Sequence, residues 1–142
     1  MKILDANILL YAYGAASPHH VKARAWVEDA FSGAELVGLP WQTIGAFLRI
    51  VTNPHVPGFR RSIADATHVV DQWLEQPNVR LLIPGDDRWP LFRQMVVEGQ
   101  ALGPLVTDAQ LAALTMEYGG VLYTTDRDFA RFPGLRWTNP LA

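Results

Sequence analysis

The stretch MKILDANILLYAY (residues 1–13) decides the fold: a short apolar run, an aspartate, then an apolar pattern with a different period. Met1 to Leu4 reads as a first strand that stops at Asp5, and Ile8, Leu9 and Tyr13 give a short helix directly behind it. Near the other end, VLYTTDRDF (residues 121–129) repeats the arrangement, with a strand over Val121 to Thr125 that ends at Asp126 and a helical turn after it. Short apolar runs alternating with helical patterns argue for parallel strands joined by crossover helices.

Working outward from these two segments, the remaining elements fall into place. Ser17 followed by Pro18 predicts a helix start, and Val21, Ala25, Val27 and Phe31 carry that helix to Gly33. Leu36 to Leu39 is the second strand. Pro40 opens a helix with Ile44, Phe47, Leu48 and Val51, which must end before Pro54. NPHVPGFRR (residues 53–61) reads as a mobile connection. Ser62 with Asp65 resembles a capping box and opens a helix through Val69, Val70, Trp73 and Leu74 to Pro77. Val79 to Ile83 is the third strand. Asp86 or Asp87 is expected to cap the next helix, with Leu91, Met95 and Val96 on its buried side. Thr107 is expected to cap a helix carrying Leu111, Leu114 and Met116 that Gly119-Gly120 ends, and a last strand lies around Leu135 to Trp137. The expectation is one α/β domain over residues 1–142, with a central, mainly parallel sheet flanked by helices.

Composition excludes several classes. With 49% apolar and 18% charged residues in a 142-residue chain, the protein is of ordinary globular type. The longest charge-free run, Ala6 to Val21, has sixteen residues and holds a glycine, a proline and two histidines, which falls short of a membrane span. Asp5 interrupts any secretory signal. The absence of cysteine rules out disulfides, thiolate catalysis and cysteine-ligated metals, and it fits a reducing cytoplasm. Twelve basic against 14 acidic residues give no overall field for nucleic acid, yet ten of the twelve are arginine, whose planar fork suits phosphate.

In open parallel sheets, function gathers beyond the carboxyl ends of the strands. Asp5 and Asp126 end two strands, Asp108 sits in the first turn of a helix, and Asp128 follows close behind Asp126. One aspartate at a strand end is an ordinary turn former or helix cap. Three converging on one edge repel one another unless protons or a cation sit between them. Oxygen ligands without cysteine or histidine suit Mg²⁺ or Mn²⁺, and such ions hold waters that serve as nucleophiles in phosphodiester hydrolysis.

Four segments carry a resemblance over nearly the whole chain: DANILLYAY (5–13), WQTIGAFLRIVTNP (41–54), DAQLAALTMEYG (108–119) and TTDRDFARFPGLRWTNPL (124–141). The chain resembles a PIN-domain ribonuclease, specifically the VapC-like toxin of a VapBC-type toxin–antitoxin pair. The resemblance implies a three-layer PIN-like fold and a Mg²⁺-dependent endoribonuclease, with Mn²⁺ as a substitute and Asp5, Asp108 and Asp126 as metal-binding catalytic acids. Asn7 and Thr125 would be supporting polar groups and Asp128 auxiliary. One position departs from the pattern: where such toxins carry a glutamate before the Phe-Leu-Arg segment, this chain has Ala46. Gln42, one turn earlier on the same helical face, offers a neutral substitute. The resemblance further implies an RNA substrate, a small antitoxin partner and a homodimer, for which Leu9, Leu10, Tyr11 and Tyr13 offer apolar surface.

Arg49, Arg60 and Arg61, with His55 nearby, are candidates to meet RNA, and Phe59 and Trp41 are available for stacking on an unpaired base. His19 and His20 read as surface residues, and Trp26, Trp73, Trp89 and Trp137 as core or interface aromatics. A phosphoaspartyl enzyme also places an aspartate at the end of a first parallel strand, but it needs a lysine after a later strand, and neither Lys2 nor Lys22 stands there. A degenerate, non-catalytic module that binds RNA or an antitoxin remains the alternative, with Ala46 in its favour.

Overall fold

Strand β1 (Lys2–Leu4) is the middle of the sheet. In the computed structural model, which describes residues 1–142, it pairs in parallel with β2 (Val37–Pro40) on one side and β4 (Val121–Tyr123) on the other. Beyond β2 lies β3 (Val79–Leu82), and beyond β4 lies β5 (Trp137–Thr138), so the order is β3-β2-β1-β4-β5 and every pairing is parallel. The chain winds outward from β1 in one direction, then returns to its other side. That reversal puts a topological switch point between the carboxyl ends of β1 and β4, where Leu4 stands opposite Tyr123.

Helices cover both faces, as a fully parallel sheet requires. One core joins Leu4, Leu39 and Val79 of the strands to α1 (Ala6–Tyr13), α2 (His20–Ser32), α3 (Trp41–Val51) and α4 (Ile63–Glu75) through Ile8, Val27, Phe47 and Trp73. A second core joins Ile3, Leu82 and Leu122 to α5 (Trp89–Glu98) and α6 (Leu105–Glu117) through Met95, Leu111 and Leu114. Ile3 and Leu4 enter different cores because successive strand residues point to opposite faces. The three-layer α/β arrangement is therefore present, with a wholly parallel sheet. No helix is long and apolar enough to cross a membrane.

Three helices start elsewhere than expected. Ser17 Oγ accepts the His19 N–H at 3.1 Å and closes a turn, so α2 begins only at His20. Asp87 adopts a left-handed backbone (φ 60°), Asp86 precedes it, and α5 starts after Arg88 with Pro90 in its first turn. For α6, Gly103 takes φ 55° and Pro104 presets the helical φ, so the helix opens at Leu105 and Thr107 lies inside its first turn. Ser62 does cap α4, its Oγ accepting the Asp65 N–H at 3.0 Å. Residues 53–61 carry neither helix nor strand.

The apolar surface expected on α1 is only partly drawn into the fold, with Leu10, Tyr11 and Tyr13 half-buried. Leu9 is fully buried, and Leu10, Tyr11 and Tyr13 pack against the first core, Tyr13 also accepting the Trp73 indole N–H at 2.9 Å. Of the tryptophans, Trp73 is core and Trp26 and Trp137 are half-buried, whereas Trp41 and Trp89 stand in solvent.

Candidate metal centre

Because β1 and β4 run side by side in register, the residues just past their ends, Asp5 and Thr124, emerge together. Asp5 has extended backbone and caps α1, its Oδ1 accepting the Ala6 N–H at 2.8 Å. Its other oxygen, Oδ2, accepts the Thr124 hydroxyl at 2.7 Å. Thr124 is fully buried, and its Oγ1 accepts two further bonds, from Asn7 Nδ2 at 3.3 Å and from the Asp126 N–H at 3.0 Å. One donation and two acceptances exhaust a hydroxyl. Since its proton goes to Asp5, the Asn7 amide must turn its nitrogen toward Thr124, which leaves Asn7 Oδ1 buried with no partner.

Asp126 in turn caps a short 3-10 helix (Arg127–Arg131), its Oδ1 accepting the Asp128 N–H at 2.8 Å. Asp108, in the first turn of α6, comes in from the neighbouring helix. One carboxylate oxygen from each of Asp108, Asp126 and Asp128 falls within 4.8 Å of the others. Asp5 stands beside this trio and shares its field.

The electrostatics record the crowding. Burial pushes the Asp5 carboxyl above its ordinary value; the bonds from Thr124 and Ala6 oppose the rise, and the Asp126 charge adds to it. Asp108 is pushed up to about 6, first by burial, then by the charges of Asp126, Asp5 and Asp128, with Arg131 offsetting only part. Two neighbouring acids with raised affinity for protons mark a place short of positive charge. The available donors are all oxygen, four carboxylates and a partnerless amide carbonyl, which fits a hard divalent cation and not a thiolate or imidazole metal.

The structure brings Asp5, Asp108, Asp126 and Asn7 together, and it gives Asp128 a place in the close trio despite its exposure. Gln42 Nε2 donates to the Thr107 carbonyl at 3.2 Å, which ties α3 to the first turn of α6, and Ala46 is half-buried one turn further on. Thr125 makes none of the bonds expected of it; Thr124 makes them. The cause is strand alternation, because Leu122 is a core residue and Thr124, two positions on, shares its side. Of the arginines, Arg49 and Arg60 are exposed without ion-pair partners, and Arg61 lies over the Tyr13 ring at 5.3 Å from its centroid.

Residues 2–135 match the family model described as PIN domain. Ribonuclease VapC33 of Mycobacterium tuberculosis is 40% identical over 141 residues, 99% of each chain, and Ribonuclease VapC37 of the same organism is 39% identical over 145 residues, covering 100% of this chain and 99% of that one. Among solved structures, VapBC2 from Rickettsia felis, bound to a DNA fragment from its promoter, superposes with a TM-score of 0.72 at 15% identity over 97% of each chain. Mycobacterium tuberculosis VapC20, described as a sarcin-ricin loop cleaving toxin, gives 0.67 at 19% identity over 96% of this chain and 99% of that one. At these identities the two structures speak for the fold.

Proposed function

The chain belongs to the PIN-domain family, and from that premise we propose that it is a Mg²⁺-dependent endoribonuclease acting as the toxin of a VapBC-type toxin–antitoxin pair. The observation that carries this reading is the uncompensated acid cluster at the switch point, Asp108, Asp126 and Asp128 within ligand spacing and Asp5 alongside. Asp5, Asp108 and Asp126 are the residues to hold the ion, with Asp128 assisting; Mn²⁺ meets the same donor set. When bound, such an ion supplies a polarised water and offsets the charge of the phosphate under attack.

The remaining work falls to the chain itself. Thr124 locks the Asp5 carboxylate by one face and the Asp126 backbone by the other, so the two strand-end acids keep a common orientation. Asn7 is locked through the same hydroxyl. Gln42 anchors the start of α6, and with it Asp108. Arg49 and Arg60, exposed and without an ion-pair partner, are left for phosphate contacts, while Arg61 packs over the Tyr13 ring.

Incubating the purified chain with unstructured RNA tests the reading. Cleavage in Mg²⁺, none in excess EDTA and none by Asp126→Asn is the expected pattern. The competing reading, a non-catalytic module binding RNA or an antitoxin, draws on Ala46; it takes over if the wild type binds RNA with Mg²⁺ present and leaves it whole. A small antitoxin and a homodimer in the cytoplasm belong to the same proposal. The antitoxin is supported by relatives named as VapC ribonucleases and neighbours solved as VapBC complexes. Co-purification with the product of the adjacent reading frame, and light scattering of the chain alone, test each.

A further inference from the structure

Strand β2 ends on a residue that cannot complete its pairing with β1. In that parallel ladder Lys2 stands opposite Val37 and Ile3 opposite Gly38, with the Lys2 N–H donating to the Leu36 carbonyl at 2.8 Å. Continued one step, the register brings the Leu4 carbonyl to the N–H of residue 40. Residue 40 is a proline, which has no N–H, and the β1–β2 pairing stops there. The donor comes from α3 instead. Thr43, three residues on and only 2% exposed, gives its hydroxyl to the Leu4 carbonyl at 2.8 Å. Its neighbour in the same first turn, Gln42, gives its amide to the Thr107 carbonyl at 3.2 Å. Leu4 directly precedes Asp5, and Thr107 directly precedes Asp108.

We propose that the first turn of α3 is a bracket that sets the separation of Asp5 and Asp108, with Thr43 and Gln42 as its positioning residues, so that both carboxylates meet one divalent cation. The proposal rests on the Mg²⁺-dependent reading above. Each bond lands on the peptide plane that leads into an acid, and a planar peptide carries the position of its carbonyl to the next Cα. The two acids come from different layers, Asp5 from the end of β1 and Asp108 from α6. Thr124 ties Asp5 to Asp126 along the sheet edge, and the α3 turn is what relates β1 to α6. The restraint acts against a force, since the Asp5 charge is among those that raise the Asp108 carboxyl. It also gives α3 a part in the centre although Ala46 brings no charge: the helix contributes position.

Calorimetric titration of Mn²⁺ into the full chain, with urea unfolding in EDTA alongside, separates positioning from the mere satisfaction of a buried carbonyl. Thr43→Val should bind Mn²⁺ about tenfold more weakly and cut RNA more slowly at unchanged KM, and Thr43→Ser, which keeps the hydroxyl, should stay within about twofold of the wild type. Gln42→Ala should lose about fivefold in Mn²⁺ affinity. Thr115→Val is the control, because it deletes an equally buried hydroxyl whose bond, to the Leu111 carbonyl at 2.8 Å, stays within α6; it should bind Mn²⁺ as the wild type does. The double variant Thr43→Val/Gln42→Ala should lose little more than Thr43→Val alone, since a bracket opened at one end no longer holds the other. Wild-type affinity in Thr43→Val, an equal loss in Thr115→Val, or losses that multiply in the double variant would each overturn the bracket. If Thr43→Val does not fold, Gln42→Ala decides, and unchanged affinity there overturns it. A wild type that binds no Mn²⁺ is a separate result, which brings down the metal reading and the bracket with it.

Discussion

Helix α6 carries two poorly exposed acids, one near each end, and the protein treats them in opposite ways. Glu117 receives a backbone N–H from Gly85 and a guanidinium from Arg88, so its charge is met within the fold. Asp108 meets three other carboxylates, with Arg131 at the margin, and its carboxyl rises to about 6. An acid that serves structure is compensated where it sits. An acid left uncompensated, in the company of others and at the switch point of a parallel sheet, is arranged for something that arrives from outside.

That contrast breaks most visibly in activity. Asp5→Asn, Asp108→Asn and Asp126→Asn should each lower RNA cleavage by about a hundredfold or more, since even groups that merely orient metal ligands are worth 10- to 100-fold. A variant at any of the three that cuts at the wild-type rate in Mg²⁺ would remove that residue from the site. Glu117→Gln should act on stability instead: it weakens the pairing with Arg88, itself half exposed, and should cost about 1 kcal/mol in urea unfolding. In EDTA, Asp108→Asn should move the urea midpoint the other way, because it relieves repulsion.

The pH dependence sharpens the same point. Asp108 has a higher proton affinity folded than unfolded, so the metal-free native state retains a proton that the unfolded chain has released. The resulting stabilisation is complete below about pH 4 and fades as pH rises through about 6. Asp5, also raised, works in the same direction. Urea midpoints in EDTA should therefore fall across this window for the wild type relative to Asp108→Asn. A constant difference between the two proteins would contradict the assignment.

The smallest expected effect concerns position 46. Gln42 shows that its face of α3 turns toward the start of α6, and Ala46 follows one turn later. Ala46→Glu should add a carboxylate to the cluster, tightening Mn²⁺ binding severalfold and lowering metal-free stability. Equal Mn²⁺ affinity in calorimetry would mean that residue 46 faces elsewhere.

Much of this was legible in the sequence because burial and periodicity leave strong marks. The strand–aspartate pairs at Asp5 and Asp126 located the edge where the acids cluster, and the helical apolar spacing located every helix. Helix starts were harder, since they turn on single backbone angles: Asp87 looks like a cap but takes φ 60°, and Pro104 rather than Thr107 opens α6. Thr124 was missed in favour of Thr125 although alternation from Leu122 points to it. The exposure of Trp89 and the pairing of Arg88 with Glu117 carry no sequence signal, because both depend on how α5 lies against α6.

The most direct test of the contrast between the two ends of α6 is a calorimetric titration of Mn²⁺ into the metal-free wild type, Asp126→Asn and Glu117→Gln at neutral pH. Saturable binding by the wild type and by Glu117→Gln, weakened at least about tenfold in Asp126→Asn, is the predicted result. Equal binding by all three, or none by the wild type, would contradict a metal centre at the β1–β4 edge.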